Sequence, residues 1–177
     1  PETRCEAALA ISAIPDQRKL LDQYLESPVD KIRASALSGI CSTSEVDMEE
    51  LKAISGRIQK KAGDLAGTFT AMVIEQSKTF LEVREEYQQG ENIPNKIKVL
   101  LRYNPTDEAP PGGYPYVRAD PLSRFVFAQY VELLKNHTEE TNRILNGFQK
   151  DENKRRMIEA IRSIISKMEK SGESSSP

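Results

Sequence analysis

Apolar residues in the first quarter of the chain recur at helical spacing in short, punctuated blocks. Ala7, Ala8, Leu9, Ile11 and Ile14 form the first block, and Pro15 ends it. Asp16 is placed to cap a second helix that runs to about Glu26, with Leu20, Leu21, Tyr24 and Leu25 as its apolar face. Ser27-Pro28 restarts the chain, and a third helix over 29–41 carries Val29, Ile32, Ala36, Leu37 and Ile40.

The strongest periodicity follows. Ser44 stands three residues before Asp47, a loose form of the capping box. From there Leu51, Ile54, Ile58, Ala62, Leu65, Phe69, Met72, Gln76, Phe80, Val83 and Tyr87 step by three or four. Ten steps cover 36 residues, a mean of 3.6, which matches a straight α-helix and not the 3.5 of a supercoiled heptad. The expectation is one long central helix over 45–89, packed on a globular bundle. Gly56, Gly63 and Gly67 each weaken a helix by about 1 kcal/mol relative to Ala, and mark a bend near 60–67 or a close backbone approach. The pattern leaves open whether 45–89 is one helix or two.

Gln88-Gln89-Gly90 ends this stretch, and Pro94 opens a short helix over 94–102 with Ile97, Leu100 and Leu101 buried. Residues 103–121 hold Pro105, Pro110, Pro111, Pro115 and Pro121 with Gly112-Gly113, so a long loop is expected there. Tyr103, Tyr114 and Tyr116 lie in or beside it. A disordered linker usually lacks such rings, so part of the loop is expected to dock through them. Asp120-Pro121 starts the next helix, whose stripe (Leu122, Phe125, Val126, Gln129, Leu133, Leu134) is expected to run on to Ile144, Leu145 and Phe148. Asp151 caps a last helix with Met157, Ile158, Ile161, Ile164, Ile165 and Met168 on one face, and residues 171–177 read as a disordered tail. No run of four or more alternating residues marks a strand.

The reading is therefore all-α: a helical bundle or short α-solenoid-like array of about six to seven helices. A single domain is expected over 1–170. It comprises hairpins over 1–43, a long helix plus a short one over 44–102, and C-terminal helices over 121–170.

Within 4–41 the stretch Ala7-Ala8-Leu9-Ala10-Ile11, then Leu20-Leu21 with Leu25, then Pro28-Val29-Asp30-Lys31-Ile32-Arg33-Ala34-Ser35-Ala36-Leu37 resembles a HEAT-type helical repeat. In that family a small-residue helix packs on an apolar one. An Asp followed by an Arg marks the turn and the start of the next unit, places that Asp30 and Arg33 would fill. The resemblance covers about a quarter of the chain, and beyond residue 45 its period fails and no second copy is visible. A repeat array needs about three stacked units. The resemblance implies a protein-binding scaffold and no catalytic residues.

Charge and composition narrow the function classes. Lys and Arg number 25 against 27 Asp and Glu, a net charge of −2, which argues against a nucleic-acid binder working by bulk charge. No apolar run approaches the ~20 residues of a membrane-spanning helix. With one His and two Cys, a closed zinc site of about four ligands is nearly excluded. Cys5 and Cys41 read as buried reduced thiols, although a disulfide between them stays open. The chain begins at Pro1 without a signal-peptide pattern, which suggests a fragment or a processed chain whose signal was already removed; the compartment stays open, with a soluble, intracellular or organellar protein favoured.

Motifs for chemistry are sparse. His137 with Glu139 and Glu140 lacks the spacing of a ligand set, and Asn136-His137-Thr138 reads as a chance glycosylation sequon inside a helix. There is no phosphate-binding glycine motif, and Pro110-Pro111 reads as a stiff spacer. The 150–170 segment holds seven basic and four acidic residues and includes Lys154-Arg155-Arg156. Contact with a partner, a membrane surface or a phosphate through this segment is the alternative to simple burial. Arg57 and Lys60-Lys61 read as solvated. No cofactor, metal or catalytic residue is expected.

These features favour a non-enzymatic interaction or scaffold module, a subunit or fragment of a larger assembly, that binds another protein chain or itself. The candidate partner residues are Tyr114, Tyr116, Arg118, Lys154, Arg155 and Arg156. The alternative is a small-molecule-binding bundle or enzyme with its site under the 103–121 loop. There Tyr103, Tyr114, Tyr116, Arg102 and Arg118 would bind an anionic or aromatic ligand.

Overall fold

The structure is a computed structural model that describes residues 18–43, 46–107, 115–118 and 120–173. The described part is all-α: eight helices and one two-residue strand pair. The chain divides into two compact units, residues 1–82 and 83–177, and the division falls inside a helix that no linker composition marks.

The first unit contains α1 (Arg18–Tyr24), α2 (Asp30–Thr43), α3 (Met48–Ala62) and the start of α4 (Phe69–Gln89). Its core is Leu21, Leu25, Ile32, Ala36, Leu37, Ile40, Leu51, Ile54 and Ile58, drawn from the apolar faces the spacing marks. Cys41 is buried on α2. Residues 1–17, with Cys5, Asp16 and the first block of the HEAT-like stretch, lie outside the described residues. So does Ser44. The cap of α3 is Asp47, whose extended backbone lets its carboxylate accept the Glu50 N–H at 2.7 Å.

The stripe over 45–89 is carried by two helices, which corrects the expectation of one long central helix. Gly63 at φ 79° and Gly67 at φ 73° take left-handed conformations that other residues avoid, and the intervening backbone turns. Phe69 and Met72 keep the 3.6 spacing on paper, yet they are about half exposed, at 49% and 50%.

Two side chains complete the start of α4. The Asp30 carboxylate accepts the Phe69 N–H at 2.8 Å, the Thr70 N–H at 3.2 Å and the Thr70 hydroxyl at 2.6 Å. The Thr68 hydroxyl accepts the Ala71 N–H at 3.1 Å. An α-helix leaves its first N–H groups without internal partners, and here residues about 40 positions apart in sequence share the capping.

Charged pairs show how α1 and α3 lie. Arg18 reaches Glu50 at 2.5 Å, Arg57 reaches Asp22 at 3.0 Å, and Lys61 reaches Glu26 at 2.5 Å. The sequence offsets are 32, 35 and 35, so α1 and α3 run side by side in the same direction. Asp30 at the start of α2 meets Phe69 and Thr70 at the start of α4, with offsets of 39 and 40. First helix therefore pairs with first helix, and second with second. The α1–α2 and α3–α4 hairpins are stacked by translation, as in an α-solenoid, and not folded back as in an up-down bundle.

The second unit contains the end of α4, α5 (Ile93–Leu100), β1 (Thr106–Asp107), β2 (Tyr116–Val117), α6 (Pro121–Asn136), α7 (Thr138–Asn146) and α8 (Glu152–Glu173). Asn92 caps α5 through the Asn95 N–H at 2.9 Å, and Asp120 caps α6 through the Ser123 N–H at 2.9 Å, each with proline in the first turn. Val83, Tyr87, Ile97, Leu100, Val126, Tyr130, Leu133, Leu145, Met157, Ile158 and Ile161 make one contiguous core. Helix α5 packs on α6 and α7, and α6 packs on α7 and α8.

The helix expected over 121–148 is broken at His137, which leaves the helical region at φ −138° and ψ 47°. The stripe survives the break because α7 folds back on α6, where the buried Thr141 hydroxyl donates to the Leu133 carbonyl at 3.1 Å. The sequon therefore spans the exposed junction of two helices, with Asn136 ending α6 and Thr138 beginning α7. At the far end, α8 reaches Glu173, so residues 171–173 are helical rather than part of a disordered tail. Residues 174–177 lie outside the described set. No described helix is long and apolar enough to cross a membrane.

Candidate functional site

The second unit carries a solvent-open groove with a volume of about 960 Å³. Its walls come from the last turn of α4, from α5, from α7 and from the start of α8. Gly90 sets the tight α4–α5 turn: a Cβ there would stand 3.0 Å from Lys96 Cγ and 3.1 Å from the Tyr87 carbonyl. Pro94 and the Asn92 cap then aim α5 so that Ile97, Val99 and Leu101 meet both the core and the groove. Ile144 and Phe148, half-buried, close the apolar floor from the other side.

The rim is charged. Glu86 pairs with Arg102 across the end of α4, and the Arg102 guanidinium lies 5.8 Å from the Tyr103 ring centre. Lys154 stands 5.0 Å over the Phe148 ring and 3.2 Å from Asp151. Asp151 is held below the usual carboxylate range, first by the Lys154 backbone N–H and then by its ammonium. Lys98 is exposed, and no carboxylate pairs with it among the described residues. Of the three cations at the groove, Arg102 is paired with Glu86 and Lys154 with Asp151, which leaves Lys98 over an apolar floor.

The residues marked in the sequence are dispersed. Lys154 lines the groove. Arg155 bonds Glu152 at 2.6 Å and Glu159 at 3.1 Å, and Arg156 bonds Glu152 at 2.8 Å, so both belong to an ion-pair ladder along α8. That ladder pulls the Glu152 carboxyl below its ordinary range, through Arg155 foremost and Arg156 next.

Arg118 serves its own loop. It donates to the Asn104 carbonyl and, at 3.2 Å, to Ser123 Oγ, while its backbone N–H bonds the Pro105 carbonyl at 3.0 Å. Asp107 and Asp120 lie 3.9 Å away. This closes the base of the loop and pairs Thr106 with Val117 and Asp107 with Tyr116. Tyr114 lies outside the described residues. Tyr116 is 52% exposed, so the expectation that it docks the loop is corrected. Tyr103, Pro105, Thr106 and Val117 are the buried or half-buried members, with β1 against α8 and β2 against α6.

His137 is exposed at the α6–α7 junction, and no group of three or more His, Cys, Asp or Glu able to hold a metal occurs among the described residues. Sequence reasoning missed Lys98, Ile144 and Phe148 as a set. The available signal was Lys98 on the exposed side of α5 and Arg102 four residues on, in the turn after it.

Comparison with protein families, with curated proteins and with solved structures yields no match for this chain.

Proposed function

We propose that the chain is a non-enzymatic helical scaffold, a subunit or fragment of a larger assembly that binds another protein chain. The observation that carries this reading is the stacking of two hairpins by translation in the first unit, marked by the Arg18–Glu50, Arg57–Asp22 and Lys61–Glu26 pairs and by the Asp30 cap. Stacked hairpins present extended surfaces, which repeat proteins use to bind partners. Asp30 and Arg33 at the HEAT-like turn support the same reading: Arg33 pairs with Asp30 at 3.3 Å and donates to the Ser27 carbonyl at 2.8 Å while Asp30 reaches the next hairpin.

The test is affinity capture of the tagged chain from its source together with light scattering of the pure protein. A stoichiometric partner or a defined oligomer is expected. A clean monomer that captures nothing overturns the reading.

One observation favours a second reading, a small-molecule-binding bundle. A groove of about 960 Å³ lies at the upper end of ligand-pocket sizes, roughly 300–1,000 Å³. Its site would then be the groove bounded by α5, α7 and α8 rather than the space under the 103–121 loop, since Arg118 is committed to the loop itself. A broad metabolite screen by thermal shift checks it, because a tight ligand raises Tm by mass action. Silence across the screen removes it.

A further inference from the structure

We infer that Asn146-Gly147, at the end of α7, is a site of spontaneous deamidation, and that Arg162 of α8 controls its rate. Of the chain's seven asparagines only Asn146 precedes a glycine. The residue after the asparagine supplies the attacking nitrogen, and any Cβ on it hinders the approach. Asn146 and Gly147 are both exposed, so water and base reach them.

The reaction consumes only water. The Gly147 backbone nitrogen loses its proton to a solvent base and attacks Asn146 Cγ. The new C–N bond closes a cyclic imide, the Cγ–Nδ2 bond breaks, and the side-chain nitrogen leaves as ammonia. Water then opens the imide. Opening at the former side-chain carbonyl gives aspartate. Opening at the former main-chain carbonyl gives isoaspartate, whose main chain runs through the old side chain. The sum is one water taken up and one ammonia released, with no change of oxidation state.

The fold sets the rate through two contacts. The Gly147 N–H donates to the Ile144 carbonyl at 3.0 Å, which holds the nucleophile in the helical turn. Arg162 Nη2 donates to Asn146 Oδ1 at 3.1 Å and to Asn142 Oδ1 at 2.7 Å, which holds the electrophile. Ring closure swings Cγ towards the Gly147 nitrogen, so both contacts must give way. The first is the weaker brake. Helix α7 has nine residues and Gly147 lies just past its end, where helices open at little cost. Leu145, 1% exposed, and half-buried Phe148 anchor the chain on either side, so the opening is confined to Asn146 and Gly147. The Arg162 contact is the stronger brake, because it ties this exposed turn to a second helix 16 residues on.

The two products act differently. Aspartate turns the Arg162 contact into a charge-assisted pair. Isoaspartate adds a carbon to the main chain two residues before Phe148 and displaces the ring over which Lys154 stands.

The experiment holds the full chain in warm buffer at neutral and at mildly alkaline pH. The tryptic peptide Ile144–Lys150 is followed by mass spectrometry, and isoaspartyl methyltransferase labelling separates the products. A synthetic peptide of the same sequence gives the unhindered rate. The expected result is conversion at Asn146 ahead of the other six asparagines, faster at the higher pH and slower than in the free peptide. Arg162→Ala should speed it at least threefold and Gly147→Ala should slow it at least tenfold, with circular dichroism confirming that both variants fold.

An intact Asn146 after the free peptide has converted completely would overturn the site, as would earlier conversion at another asparagine. A rate in Arg162→Ala equal to that of the wild type would overturn the control assigned to Arg162. A Cβ at position 147 would stand 3.1 Å from the Ile144 carbonyl, so Gly147→Ala also strains the turn. The free-peptide comparison keeps the test independent of that variant.

Discussion

The two units solve the same problem, packing short helices, with different materials. In the first unit an apolar core is supplemented by polar links between the hairpins: three largely exposed ion pairs and one carboxylate that caps a helix 40 residues away. In the second, helices α5 to α8 converge on an apolar core around the fully buried Tyr130, Leu100 and Leu145, and the ion pairs of α8 stay on the helix that makes them. Polar alignment specifies a register and leaves a repeatable interface. Apolar convergence gives depth, and here also a groove. The lesson is that register and stability have separate sources in one chain, and mutations should separate them.

The largest effect is expected in the apolar core. Leu100 is fully buried, and Leu100→Ala should cost about 2–5 kcal/mol, the transfer term plus the cavity left behind. Urea unfolding reads it, and hydrogen exchange should show the loss of protection over residues 83–161. A cost below about 1 kcal/mol would mean that the second unit does not depend on this core.

Next comes the hub of the polar unit. Asp30→Ala removes the cap of α4 and leaves the buried Arg33 guanidinium without its carboxylate, with an expected cost of about 2 kcal/mol. The Asp30 carboxyl also carries a pH signature. Burial pushes its pKa up, but the Thr70 hydroxyl, the Phe69 and Thr70 N–H groups and Arg33 together outweigh burial, and the net shift is downward. A carboxylate with a depressed folded pKa stabilises above its unfolded pKa, near 3.9, and that contribution is lost as pH falls through the lower folded value. Asp30→Asn should keep part of the cap and flatten the acid limb of the stability curve. An acid limb identical to that of the wild type would show that Asp30 is not the titrating group.

The backbone between the hairpins comes third. Gly63 sits at φ 79° and ψ −144°, and a Cβ there would meet nothing within 4 Å. Any penalty for Gly63→Ala is therefore conformational, about 1–3 kcal/mol. If 45–89 were instead one continuous helix, the same substitution would stabilise by about 1 kcal/mol, since Ala is the better helix former. The sign of the change, read by thermal unfolding, decides between the two.

That site also shows how much the sequence disclosed. The all-α class, the faces of α1, α2, α5 and α8, and the Asp120 and Asp151 starts were legible, because caps, prolines and periodicity are local signals. The break at 63–67 was only half legible. Its glycines weaken a helix, but a 3.6 spacing that continues by coincidence through Phe69 and Met72 hides the turn. The break at His137 had no signal, since neither Gly nor Pro marks it and the Thr141–Leu133 bond that stabilises it is tertiary. The groove was illegible for the same reason: Glu86, Lys98, Ile144, Phe148 and Lys154 are spread over 69 residues and meet only through the packing of α4, α5, α7 and α8. Lys154, marked in the sequence for its basic run, lines the groove, and Arg118, marked as a partner contact, bonds within its own loop.

The smallest effect bears on the apolar unit's one polar weakness. Tyr130 is fully buried, and its hydroxyl has no hydrogen-bond partner among the described residues. Burial alone pushes its pKa well above the ordinary tyrosine value. A buried donor without an acceptor costs about 1–3 kcal/mol, and an apolar isostere recovers part of that. Tyr130→Phe should thus be neutral or stabilise by up to about 1 kcal/mol, although tyrosine-to-phenylalanine changes in protein cores usually remove a bond and destabilise. The same deletion logic applied to the polar unit gives the opposite sign, since the Thr70 hydroxyl is as buried as Tyr130 and donates to Asp30. Thr70→Val should destabilise by about 1 kcal/mol. Opposite signs for two hydroxyl deletions of equal burial, measured by chemical unfolding, would establish that buried polar groups align the first unit and burden the second. Equal signs would erase the distinction between the units.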